Sequence, residues 1–430
     1  MLKIANNNKN LLEIKDGAEK PFFWLGDTAW LLLQKVSMDE IAMYLDNRKS
    51  KHFNVIQSVL IHNSNFEEDA LRAVDDFDFA NLNKDHEYWD KAEAVLKMAA
   101  ERGMYMAYLP VWGSMVKKGY LTEANVEGYG AFLAERFGKY DNLVWVLGGD
   151  IRGHQGFEIW NKLGAALKRL CPERICTFHP FGRTCSALWF HEQPWLDFNM
   201  FQSGHRRYDQ SSLGEWDDNK ESEDFFAEDN WKYVKRDLAR TPMKPILDGE
   251  PSYEHIPQGL HDFNQPVWLA KDVRRYAYWS VLEGACGHTY GNNSIFQFHD
   301  AVPEHGAYDV YLDWRSEMDA PGALHLKLMY ELITSIDFTN GEHNDALINN
   351  DGFKKHGRVT AYSGRDYALV YDYNGRPFEL NLSALGFEPK SFKWFDPTNA
   401  EVTDAKPISD GRYAPPINAN NETDMVLIIK

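Results

Sequence analysis

Two acidic residues stand at the ends of apolar runs in a way that suits the opening of an acetal. Asp150 closes VWVLGGD, a run broken by two glycines that let the backbone turn where a side chain would crowd. Glu250 follows a shorter run in PILDGEP, and Pro251 stiffens the exit. Each run reads as a strand buried on both faces, so both carboxylates are expected at the mouth of a sheet. A pair of carboxyl groups there is the minimum equipment for acid/base work on a glycosidic bond. Plainer readings exist for each: Asp150 could turn a loop, and Glu250 could answer a nearby arginine. Asp248, two positions before Glu250, faces the same way and could be a supporting partner or itself the acid.

To present such groups the chain needs several strands pointing one way, and its texture alternates accordingly. Strand patterns at 22–25, 55–61, 104–109, 144–150, 175–180, 198–204, 246–250 and 287–291 are separated by helical ones. Helices are expected after Ser37, with Glu40 completing a capping box, and at 88–102, 122–137, 157–170, 231–239, 267–283 and 324–333. Roughly eight strand-then-helix units are the number that a closed parallel (β/α)8 barrel requires. A doubly wound sheet would usually carry a glycine-rich phosphate loop after its first strand, and GDTAW at 26–30 is not one. After about residue 336 the texture changes to short β-branched or aromatic segments separated by the turns Ser363-Gly364, Asn374-Gly375 and Asp410-Gly411. The organisation expected is therefore a catalytic barrel over 1–336 and a small all-β sandwich over 337–430. The simplest role for the second is packing on the first.

In a parallel barrel the carboxyl ends of the strands converge on one rim. Reading those ends gives Asp27, His62, Trp112, Asp150, His179, Gln202, Glu250 and Tyr290, with Trp30 just beyond the first. That is the composition of a sugar pocket, although Asp27 could cap a helix, either histidine could be structural and Trp112 could be core. Arg152 and Arg183 lie near the rim and could hold a substrate carboxylate. Aromatic residues form 14% of the chain, with 14 Trp and 21 Tyr; a tryptophan-rich core accounts for many, and the rest would suit faces that stack on sugar rings.

The formal charge of -18 argues against nucleic acid as a partner. No apolar run is long enough to span a bilayer. The four cysteines, Cys171, Cys176, Cys185 and Cys286, show no metal-ligand spacing and read as buried thiols. No HExxH, GxSxG, Walker A or aspartate-rich calcium loop occurs, so neither a metal nor any other cofactor is expected.

The runs PFFWLGDTAWLLL, VWVLGGD, HPFG and PILDGEPSYE, in that order, resemble glycoside hydrolase family 140, the apiosidase-type enzymes, over about 21–336. The resemblance implies action on apiose-linked side chains of the pectic polysaccharide rhamnogalacturonan II, with Asp150 and Glu250 as the catalytic pair. The rivals are a glycosidase of the same superfamily with another sugar, a non-catalytic carbohydrate-binding barrel, and a barrel isomerase or lyase of sugar acids. A pectic substrate would place the protein outside the cytoplasm, periplasmic or extracellular in a bacterium, with a signal peptide preceding this sequence; cytoplasmic residence is the alternative, since residues 1–8 lack a signal peptide's apolar core. Oligomeric state is not legible. If the two acids sit on the fourth and seventh strands, Asp150 is expected as acid/base with a raised pKa. Glu250 is then the nucleophile, kept ionised by neighbours such as His179 or Gln202. A carboxyl separation of about 5 to 5.5 Å would mean retention, and roughly 6.5 to 9.5 Å inversion.

Overall fold

The computed structural model of this chain describes residues 1–62, 78–210, 226, 228–349 and 354–430. The polar loop expected after His62 lies outside them. Three short antiparallel strands come first: β1 (Leu2–Ile4), β2 (Leu11–Lys15) and β3 (Ala18–Phe22). The strand patterns read from the sequence, which begin at 22, did not include them. Phe22 meets the ring of Tyr105, at the first residue of a barrel strand, edge-on at 5.4 Å, so this sheet covers the amino-terminal end of the barrel.

The barrel strands are β4 (Trp24–Thr28), β5 (Val55–Ile61), β6 (Tyr105–Val111), β7 (Leu143–Ile151), β8 (Cys176–Pro180), β10 (Asn199–Gln202), β11 (Ile246–Asp248) and β12 (Gly287–Tyr290), with β9 (Thr184–Cys185) a short antiparallel addition beside β10. The ladder runs in parallel from β8 back through β7, β6, β5 and β4 to β12, β11 and β10. It closes where Asp197 donates its backbone N–H to the Cys176 carbonyl, 2.8 Å, and the Thr177 hydroxyl donates to the Phe198 carbonyl, 2.6 Å. Each of these eight strands is followed by a helix, the longest being Met38–Ser50, Glu87–Glu101, Phe157–Leu170, Ala270–Glu283 and Pro321–Thr334. This is the (β/α)8 barrel expected. Trp24, Trp89, Trp145, Trp160 and Trp279 are fully buried in its core. The Ser37–Glu40 capping box forms at the start of Met38–Ser50.

The first barrel strand begins later than its pattern suggested, because Phe22 is used in β3, paired with Leu11. The strand also runs on to Thr28, so Asp27 lies within β4, in register with Ile56 and Tyr290, and not past its end. The helix expected from 267 starts only at Ala270, where Leu269 and Asp272 close a cap.

Strands β13 (Glu342–His343), β14 (Val359–Ser363), β15 (Ala368–Asp372), β16 (Phe392–Phe395), β17 (Val402–Asp404) and β18 (Met425–Ile429) form one antiparallel sheet in the order β13-β14-β15-β18-β16-β17. Alternation along β15 sends Leu369 and Tyr371 towards the barrel and Ala368 and Val370 into a second apolar cluster. That second layer is irregular: Phe378 and Leu380 make single bridges to Tyr413 and Ile348. Ala270–Glu283 is caught between barrel and sheet and is buried continuously from Val273 to Glu283, with Tyr278 stacked on Tyr371 at 4.5 Å. Among the described residues no helix is long and apolar enough to cross a membrane.

Candidate active site

A cavity of about 810 Å³ opens at the carboxyl ends of the barrel strands. Asp150 reaches it through an irregularity in β7: Gly148, Gly149 and Asp150 have φ of 93°, 95° and 47°, and the pairing with β8 slips between Gly148 and Ile151. The two glycines also permit close approach. A Cβ at Gly148 would stand 2.3 Å from the His179 carbonyl oxygen, and one at Gly149 would stand 2.6 Å from the Trp112 ring. The bulge turns Asp150 into the cavity and lets Trp112 close over the strand. Asp150 is on the fourth barrel strand and Glu250 follows the seventh.

Glu250 is 5% exposed. Its Oε1 is 3.0 Å from Nε2 of His205, and Nδ1 of that ring accepts the backbone N–H of Tyr253 at 3.3 Å. An imidazole that accepts at Nδ1 carries its proton on Nε2, so His205 donates to Glu250 without needing a charge of its own. Oε2 lies 3.1 Å from His179 Nε2 without the alignment of a hydrogen bond. Burial alone would raise the Glu250 pKa, but the two imidazoles outweigh it and hold the group at about 2. Asp150 moves the other way. Burial, and then the charge of Glu250, push it to about 6 against the opposing pull of His179 and a hydrogen bond from Gln202. One oxygen of each carboxylate and a nitrogen of His179 all lie within 4.8 Å of one another. The site thus joins an ionised carboxylate and a carboxyl group that holds its proton into the weakly acidic range.

The sequence-expected residues divide. Trp30, His62, Trp112, Asp150, Gln202 and Glu250 line the cavity, with the rings of Trp30 and Trp112 5.3 Å apart and those of His62 and Trp112 5.1 Å apart. His179 is fully buried behind Glu250, edge-on to Trp30 at 5.3 Å. Asp27 and Tyr290 do not line the cavity. Asp27 faces the helix layer, where it is paired with Arg48 and accepts from the Tyr44 hydroxyl at 2.5 Å, and the Tyr290 hydroxyl donates to Glu254 at 2.5 Å. Both side chains alternate outward to the helix layer, Asp27 from within β4 and its register partner Tyr290 from the last residue of β12. Asp248 is also fully buried, accepting from Ser203 Oγ at 2.8 Å and Asn230 Nδ2 at 3.1 Å, and burial raises it to about 7.

Residues that the strand-end reading passed over complete the walls: His205 and Arg206 from the loop after β10, Tyr253 three residues after Glu250, Phe181, and Tyr308. His205 and Tyr253 were within reach of a reading that traced each strand a few residues further. Arg183 and Arg206 share one wall, and burial lowers both, to about 9 and about 10, with the charge of Arg206 adding to the effect at Arg183. Arg152 stacks on Phe181 at 4.2 Å.

Comparison with known proteins agrees with this geometry. The family model for the apiosidase-like catalytic domain matches residues 6–340, and a model for a putative collagen-binding domain of a collagenase matches 344–430. No curated protein sequence matches the chain. Among solved structures, one described as a glycoside hydrolase is 37% identical, with a TM-score of 0.90, over 100% of this chain and 96% of its own. A family 5 glycoside hydrolase from Bacteroides vulgatus is 35% identical, with a TM-score of 0.88, over 100% and 93%. An alpha-amylase from Geobacillus thermoleovorans shares the fold at 12% identity and a TM-score of 0.55, over 95% and 98%. With most of its length matched by that catalytic model and two full-length neighbours of this kind, the chain belongs to the apiosidase-like family of barrel glycoside hydrolases.

Proposed function

We propose that this protein hydrolyses an apiose-linked side chain of a pectic glycan, as family 140 apiosidases do, with retention of anomeric configuration. The observation that carries the mechanism is the opposed protonation of two close carboxylates: Glu250 held ionised at about 2 and Asp150 raised to about 6, with oxygens within 4.8 Å. Such proximity suits direct attack better than the wider gap that an intervening water needs. Asp150 protonates the departing glycosidic oxygen while Glu250 Oε2, which accepts no hydrogen bond among the described residues, attacks the anomeric carbon. The leaving alcohol departs with that proton. A water then enters, gives a proton to Asp150 and displaces Glu250 from the sugar.

The wall bearing Arg183 and Arg206, with Lys117 and Lys35 also lining the cavity, supports a substrate that carries carboxylates, as galacturonan does. Trp30 and Trp112 offer aromatic faces to the sugar ring. We infer an extracytoplasmic setting from that substrate, which fractionation of the producing cell would test. The deciding experiment is incubation with rhamnogalacturonan II oligosaccharides. A new reducing end on apiose, first released in the starting anomeric form by NMR, and a free hydroxyl on the galacturonate that bore it are the expected result. Cleavage of other glycans only would overturn the apiose assignment, inverted product would make Glu250 a base, and binding without cleavage would favour the non-catalytic reading.

A further inference from the structure

The loop that carries His205 and Arg206 does not end at the cavity. It runs on through Arg207 and Tyr208 to the junction with the C-terminal sheet. There the backbone N–H of Tyr208 donates to Glu228 Oε1 at 2.9 Å, and its hydroxyl to Asp229 Oδ1 at 2.5 Å. Glu228 is 1% exposed. Its other oxygen, Oε2, meets two basic side chains from different parts of the molecule. One is Arg275 of the helix Ala270–Glu283, at 2.7 Å; the other is His356 Nε2, from the segment leading into β14, at 2.8 Å. The His356 ring also lies 5.1 Å from the Tyr208 ring, and Lys355 Nζ stands 5.0 Å over the same ring.

We propose that the C-terminal module is a positioning element of the active site: through His356 and Glu228 it fixes the 203–210 loop, and hence the imidazole of His205 against Glu250. The proposal rests on the assignment of Glu250 and His205 to the reacting centre. Its physical basis is that one buried carboxylate joins the loop, a barrel helix and the sheet. The near end of the loop is held to the catalytic turn by Gly204 N–H to the Glu250 carbonyl, 3.1 Å, and the His205 carbonyl accepts from Trp268 Nε1 at 3.0 Å. Among the described residues its far end is tied through Tyr208 and the side-chain contacts of Arg207 and Gln210. Freeing the Tyr208 end therefore lets the loop swing about the anchors at Gly204 and His205, from which the imidazole projects. The imidazole at position 356, Lys355 and their sheet are thereby given a role beyond covering apolar surface.

Hydrogen exchange on the full-length protein tests this without any substrate. His356→Ala is expected to speed amide exchange across 203–210 at least about fivefold while β4 to β7 stay unchanged. His356→Gln, which can still donate to Glu228, is expected to restore protection. Lys235→Ala removes a more exposed contact between barrel and module, to Asp345 at 3.0 Å, and is expected to leave the loop as it was. Loop exchange unchanged in His356→Ala, or equally accelerated by Lys235→Ala, would overturn the proposal. On any glycan that the unmodified enzyme turns over, His356→Ala should lower kcat about threefold to tenfold, with recovery in His356→Gln. A kcat unaffected despite a loosened loop would also overturn it. Because exchange is read with no reaction, failure of the glycosidase assignment and failure of this brace give different results.

Discussion

Two regions of this molecule bury carboxylates against partners that differ in kind. Between Ala270–Glu283 and the C-terminal sheet each is met by a guanidinium, Arg274 with Asp424 at 2.7 Å, Arg275 with Glu228 at 2.7 Å and Arg358 with Glu283 at 2.8 Å, with the imidazole of His356 also on Glu228. At the barrel mouth, the partners of Glu250 are the imidazoles of His205 and His179. A guanidinium is charged at every working pH, and Arg274 grips both oxygens of Asp424 through its rigid fork, so the interface is locked. An imidazole donates one bond, leaves an oxygen over, and can change its own proton. Burial of charge therefore serves docking in one place and reactivity in the other. The distinction lies in which acceptors are left unfilled.

The largest effect expected from this contrast is at the interface. Arg274→Ala would leave Asp424, itself fully buried, without its guanidinium, and should cost about 3 to 5 kcal/mol in urea unfolding. A loss below about 1 kcal/mol would show that the interface charges are not locked in this sense. At the mouth the same logic places the cost in rate: Glu250→Gln and Asp150→Asn should each lower turnover at least about a hundredfold, with circular dichroism unchanged. Near-normal turnover in either variant would remove that residue from the chemistry, and Asp248 would be the next candidate.

The sequence made the mouth more legible than the interface, for a physical reason. Asp150 and Glu250 are announced locally, because an apolar run that breaks at glycine must deliver the next side chain to a strand end. His205 is not announced. It reaches Glu250 only because Gly204, with φ of 79°, turns the chain back and the loop is pinned across 45 positions of sequence. Asp27 shows the reverse error: its type and neighbourhood were right for a rim, but β4 runs on through Thr28 and its alternation turns the carboxylate to the helices, where it meets Arg48. The eight strand-and-helix units were legible from periodicity. Pairings such as Arg274 with Asp424 join residues 150 apart in sequence, and nothing local in either segment marks them.

Asp150 should also carry a stability penalty that Glu250 does not. Its folded-state pKa of about 6 lies above its ordinary 3.8, so its contribution favours folding below the ordinary value and is lost as pH rises through 6. Glu250, lowered from 4.5 to about 2, contributes stability above 4.5 and loses it as pH falls through 2. Asp150→Asn should accordingly stabilise the protein by about 1 to 3 kcal/mol at pH 8 and by little at pH 4, while abolishing most activity. Equal stabilisation at both pH values would mean that the Asp150 charge is not the cause.

The smallest effect is the one that tests the imidazoles most directly. The profile of kcat/KM against pH should fall above about 6, as Asp150 loses its proton, and on the acid side only towards about 2, where Glu250 gains one. If His205 holds Glu250 down by donating from Nε2, His205→Ala should move the acid limb up to about 3 or beyond. Loss of that support leaves a more basic carboxylate opposite Asp150 but does not remove the alkaline limb, since burial is the first cause of the Asp150 shift. His205→Gln can keep a donor near Oε1 and should leave the acid limb close to its original place. An acid limb unmoved in His205→Ala would mean that His179, 3.1 Å from Oε2, suffices alone, and the contrast between guanidinium-locked and imidazole-tuned carboxylates would then rest on one histidine.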